Sequence, residues 1–276
     1  LFSQFRSFLE LIGISEFNGF SASDFEMLGS IGKIPDEDFL DFKRALRRKI
    51  EKFLQKITDA VKPSFDFKNY ETHLPGVGLS SATWCMLYFY DDDSKIGVNY
   101  YPNLNFLLRE YGIEISVNAE TKSSINCIMQ CMNNKPAEFD SIVSSIKDLI
   151  FPIYYRLQFR PRAFRWNLVP GYPISVEDFR SDNIIASIKN FEKEWPNFRR
   201  TLIFQMKIGE QKHHSGRFFS ENELNFASQR NPRPNFALRF EKRFNAEQID
   251  EMGKKILPTF KNEVLKLREL LKYVIS

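Results

Sequence analysis

Only three cysteines, Cys85, Cys127 and Cys131, occur in the 276 residues of this chain. An odd thiol without framework spacing excludes a disulfide scaffold and points to a reducing cytoplasm. Cys127 and Cys131 stand four apart and would share a helix face, but no second Cys or His pair accompanies them, so no metal site is expected. Histidine is limited to His73, His213 and His214, none of them spaced with a Ser, Cys or acid as nucleophilic or acid–base catalysis requires. Gly76 and Gly78 lack the Gly-Lys-Ser/Thr ending of a phosphate loop, which argues against nucleotide hydrolysis and a nucleotide cofactor. No apolar run approaches the roughly 18 residues of a membrane span, and no membrane partner is expected. The start, LFSQFRSFLELIGI, reads as an amphipathic helix without the basic leader of a signal peptide. A first residue of Leu rather than Met is expected of a fragment whose partner domains lie elsewhere.

Phenylalanine is abundant, with 28 copies, and most must be core because large rings bury the most apolar area per side chain. The net charge is only +4, yet its distribution is uneven. From Phe151 to Arg243 there are 17 Lys and Arg against 9 Asp and Glu, a local excess of +8 that leaves −4 for the rest. Such asymmetry predicts a surface that faces a polyanion.

The excess is densest from Tyr154 to Trp166, where YYRLQFRPRAFRW carries Arg156, Arg160, Arg162 and Arg165 among aromatic residues and holds no acid. Guanidinium groups bind phosphate bidentately, and rings beside them stack on bases. As a strand, this stretch would put Arg156, Gln158 and Arg160 on one face and Tyr155, Leu157 and Phe159 on the other. Trp166, Arg199, Arg200 and Arg217 extend the candidate nucleic-acid interface, with Lys207, Arg239, Lys242 and Arg243 adding charge. Tyr100 and Tyr101, near Trp84, Tyr88 and Tyr90, are candidates to meet a base, although rings on paired strands more often serve cross-strand packing.

Periodicity predicts helices over 36–61, 125–132, 137–149 and 176–195, the last ended by Pro196, and a C-terminal helix bent near Pro258. Strands are predicted at 83–90, 96–101, 113–118, 154–160, 200–208 and 236–244, with 96–101 returning as the hairpin partner of 83–90. Helices at both ends and about six hairpin-linked strands give an α+β class with a mainly antiparallel sheet. One compact domain over 1–276 is expected, with two lobes divided near residue 152.

Three functions compete. A DNA-binding module without catalysis follows from the arginines. A metal-dependent nuclease would use Glu120 and Lys122, a Glu-x-Lys pair following the strand at Ile113. A protein-interaction scaffold would instead pair the arginines with acids and dock exposed Phe residues on a partner. The FRPRAFRW segment, a strand section with a Thr-Trp pair and a closing helix resemble the recognition modules of McrB-type, modification-dependent restriction proteins. That resemblance implies a DNA-sensing part of a bacterial defence system, with an AAA+ motor and a nuclease outside this chain.

Overall fold

The computed structural model describes residues 17–30, 36–65, 69–73, 82–90, 102–119, 122–155, 169–170, 179–211, 218–229 and 236–275. Their strands are β1 (Asn69–His73), β2 (Ala82–Tyr90), β3 (Asn103–Arg109), β4 (Gly112–Ala119), β5 (Ile153–Tyr155), β6 (Val169–Pro170) and β7 (Phe236–Asn245). These form one sheet in the order β1-β2-β3-β4-β7-β5-β6, and every pairing is antiparallel. The α+β class stands, but the strand count differs from the expected six. Five strands are substantial, and β5 and β6 are short additions at one edge.

Alternation builds the sheet's two faces. In β4, Ile113, Ile115, Val117 and Ala119 point to one side, and Glu114, Ser116 and Asn118 to the other. Register carries this division across its neighbours: Leu104, Phe106 and Leu108 of β3 lie opposite Val117, Ile115 and Ile113, while Phe240 of β7 lies opposite Val117. The apolar face is covered by helices. Chief among them are α2 (Asp36–Val61) and the last helix, α8 (Ile256–Ile275), which pack on each other and on the sheet.

Aromatic residues knit these layers together. Phe53 of α2 meets Phe106 of β3 edge-on at 5.5 Å and Phe260 of α8 at 5.6 Å. Phe240 of β7 touches Phe139, Phe151 and Phe179, the nearest centroid at 4.9 Å. The buried cluster draws on residues from both sides of position 152.

Helix starts follow local chemistry. Asp24 accepts from the backbone N–H and hydroxyl of Ser21 at the start of α1 (Ala22–Ser30). Pro136 sits in the first turn of α4 (Pro136–Ser144), directly after α3 (Lys122–Asn134), where its missing N–H costs nothing. Asn245 and Gln248 form a full capping box on α7 (Ala246–Met252).

β2 pairs with β1 on one side and with β3 on the other, with Cys85 opposite Phe106; residues 96–101, expected as its hairpin partner, lie outside the described residues. Two expectations are corrected. Residues 200–208 are not a strand. They continue α5 (Ser181–Lys207), which runs straight through Pro196. Ile184, Ile188, Phe191, Trp195, Leu202 and Met206 are all buried along it, and that burial outweighs the roughly 3 kcal/mol penalty of an internal proline. The C-terminal helical region breaks at Gly253, whose φ of +45° ends α7, and not at Pro258, which sits harmlessly in the first turn of α8. The remaining helix, α6 (Glu221–Gln229), packs on α5.

Candidate nucleic-acid interface

The basic-aromatic stretch issues from the sheet edge. Tyr155 pairs with Val169 and Tyr154 with Pro170, so the chain leaves β5 and returns in β6 beside its point of departure. On its other side β5 pairs with β7, with Tyr154 opposite Ala237. Ile150 and Glu241 exchange two backbone hydrogen bonds of 2.8 Å just before that. Arg156, Arg160, Arg162, Arg165 and Trp166 themselves lie outside the described residues, as do Tyr100, Tyr101, Arg217 and Glu120.

Arg199 and Arg200 are adjacent on α5 and project about 100° apart, one into the core and the other to solvent. Arg199 is buried, its guanidinium donates to the Ala227 carbonyl of α6, and burial lowers its pKa. Arg200 is exposed and donates to Asn197 on its own helix. The structure therefore does not bring these two arginines onto one surface. Lys122 opens α3. Among the described residues no group of three His, Cys, Asp or Glu side chains could hold a metal ion. Cys127 donates to the Val274 carbonyl at 2.9 Å, and burial raises its thiol pKa to about 11.

Arg239 and Lys242 are corrected as surface cations, because both are buried, and Arg243, though exposed, is engaged by acids of the same chain. Alternation in β7 sends Arg239, Glu241 and Arg243 to the sheet face opposite the helices, next to Glu114 of β4. Arg243 lies 2.6 Å from Glu241 and 3.7 Å from Glu114, while Arg239 lies 3.7 Å from Glu114 and 3.2 Å from Asn118. Arg109 approaches Glu114 at 3.9 Å, and the Tyr111 hydroxyl donates to the same carboxylate.

This face is dry. Asn105, Glu114, Ser116, Asn118 and Glu241 are each at most 1% exposed. Desolvation, then repulsion from Glu241, pushes the Glu114 carboxyl up to about 7 against the opposing pull of the three arginines. Such a layer can hold a proton near neutrality and lock β3, β4 and β7 in register. Sequence reasoning passed over it because polar residues alternating with apolar ones normally mark a solvated face. Among the described residues neither amide atom of Asn105 finds a hydrogen-bond partner.

No helix among the described residues is long and apolar enough to cross a membrane. No protein-family model matches this chain, and no curated protein matches it either.

Proposed function

We propose that this chain is a nucleic-acid-binding module, with DNA as its ligand, serving as the target-recognition part of a larger bacterial defence or restriction protein. One observation carries the reading. Residues 156–168 hold four arginines and no acid, and the strand pairing on either side ties both ends to one edge of the sheet. Tethered ends limit the conformational freedom that a cationic segment would lose on binding. Arg156, Arg160, Arg162 and Arg165 hold phosphates in this reading, with Trp166, Tyr100 and Tyr101 available to bases. Arg200 and Arg217 add phosphate contacts. An AAA+ motor and a nuclease would be supplied by other domains or subunits.

The test is charge reversal at Arg160→Glu and Arg162→Glu, read by fluorescence anisotropy on duplex DNA at two salt concentrations. Binding should weaken across all sequences, and the slope of log affinity against log salt should fall by about 2. Unchanged affinity in a folded double variant would remove the segment from the interface, and a wild-type protein indifferent to DNA at low salt would remove the function.

A further inference from the structure

Helix α5 carries a second cationic face, and its charges are not answered by acids. Four residues along it, Lys189, Lys193, Arg200 and Lys207, are exposed. At about 100° per residue they fall within about 60° of the direction taken by Phe204. From Lys189 to Ile208 no acid lies between them: Glu192 stands about 60° beyond one edge of the cations and Glu194 about 100° beyond the other, while Asp182, in the first turn of the helix, points the same way and pairs with Arg180 at 3.5 Å. Glu210 follows the end of the helix. None of the four cations meets a carboxylate among the described residues, and Arg200 donates only to the amide of Asn197.

Helix α2 provides the contrast. Two of its outward cations pair with acids at helical spacing, Arg44 with Asp41 at 3.3 Å and Arg47 with Glu51 at 2.8 Å. A face that neutralises itself is a solvated face. Among the described residues no acid pairs with the four cations of the α5 face.

It also displays large apolar groups. Phe204 is 60% exposed beside the cations at one edge of the arc, and Ile208 is 52% exposed one turn on. Phe218 is 62% exposed, and its ring lies over Gly209 at the same end of the helix, so closely that a Cβ there would come within 2.8 Å of it. Lone exposed apolar residues need no explanation, but a phenyl ring flanked by unpaired cations has a chemical use. The cations reach phosphates spaced along about 27 Å of helix, and the ring offers a stacking platform. In a duplex the base faces are already stacked on one another, so a protruding ring can stack only on an unpaired base. An anionic membrane surface fits less well, because the apolar side of α5 is spent on the core and two or three side chains give little area to insert.

We infer that the outer face of α5, with Lys193, Arg200, Phe204 and Lys207 at its centre, is a binding track for single-stranded nucleic acid. The inference rests on the nucleic-acid reading above and adds a second surface to it, with unpaired strand as its ligand.

Anisotropy titrations of the whole chain decide the matter, using a labelled oligothymidylate, the same strand paired with its complement, and vesicles containing anionic lipid. Phe204→Ala removes a ring that is mostly in solvent, so the variant should keep the wild-type melting temperature. It should weaken single-strand binding about tenfold and leave duplex binding unchanged. Lys193→Glu with Arg200→Glu should weaken single-strand binding further and lower its salt slope by about 1.4.

If neither set of variants alters single-strand affinity while Arg160→Glu with Arg162→Glu abolishes duplex binding, the α5 track is wrong and the DNA-binding reading stands. Equal loss on single strand and duplex after Phe204→Ala would overturn the stacking role. Variants that lose only vesicle binding would make this a lipid-facing helix and overturn the inference. Wild-type protein that binds no nucleic acid removes both ideas together.

Discussion

Lys242 sends its ammonium from the helix-covered face of β7 into the carboxylate of Glu263 on α8, joining sheet and helix through an ion pair inside an otherwise apolar layer. Both residues are buried, at 6% and 8% exposure, and Lys266 adds a second contact to Glu263 at 2.6 Å. Burial alone would raise the Glu263 pKa, but hydrogen bonds from the two lysines hold it below the ordinary carboxylate value. Its contribution to stability is therefore present above the unfolded pKa and lost as the pH falls through the lower folded value.

Removing one partner of this pair strands the other. Glu263→Ala leaves a buried ammonium and should cost about 3 kcal/mol, read as a lower urea midpoint with an unchanged slope. Lys242→Met should cost less, because Lys266 still serves Glu263. Combining Lys242→Met with Glu263→Leu should recover most of the loss. A wild-type midpoint for Glu263→Ala would show that the ammonium finds water instead.

Glu114 has the opposite sign. Its folded pKa of about 7 lies above the 4.5 of an ordinary glutamate. This carboxyl therefore favours the folded state fully below pH 4.5, and the contribution disappears as the pH rises through about 7. Glu114→Gln should flatten the pH dependence of stability. Between pH 5 and pH 8 the wild type should lose on the order of 2 kcal/mol more than the variant. Thermal melts at both pH values measure this, and parallel profiles for the two proteins would return Glu114 to ordinary behaviour.

Gly112 closes the turn between β3 and β4 at a φ of +140°, and a Cβ there would lie 2.0 Å from the Phe244 carbonyl oxygen of β7. Two faults thus meet at one residue, a backbone conformation that side chains disfavour and a clash with the neighbouring strand. Gly112→Ala should cost about 3 kcal/mol in chemical denaturation. Gly253 also has a positive φ, with a ψ of −119° outside the left-handed helical region, but a Cβ there faces open space, so Gly253→Ala carries only the backbone strain and should cost less, about 2 kcal/mol. Equal costs would mean that the strand shifts aside for the added methyl.

Elements with one clear period were legible in the chain. Helix α2 announces itself through Leu46, Ile50, Phe53, Ile57 and Val61, and all five prove buried. β4 announces itself through Ile113, Ile115 and Val117. β3 did not, because Leu107 interrupts the alternation of NLNFLLR with a second apolar residue on the opposite face. The end of α5 was misread for a related reason. RTLIFQMKI has the composition of a strand, and only its packing, with Leu202 and Met206 inward and Phe204 outward, reveals the helical period. Of the candidate interface, the arginine-rich run was legible as composition, and the pairing of its two ends was not.

By itself the amino-acid order determined the class of the fold, because period and turn chemistry act over a few residues and can be read locally. It also determined that positive charge concentrates in the middle of the chain. Only the tertiary structure decided which cations remain available. Arg239 and Arg243 lie next to Glu114 through cross-strand register, and Lys242 next to Glu263 through helix docking, contacts between residues well separated along the chain. Charge can be counted from composition, but its neutralisation depends on distances of a few ångströms that only the packed chain sets.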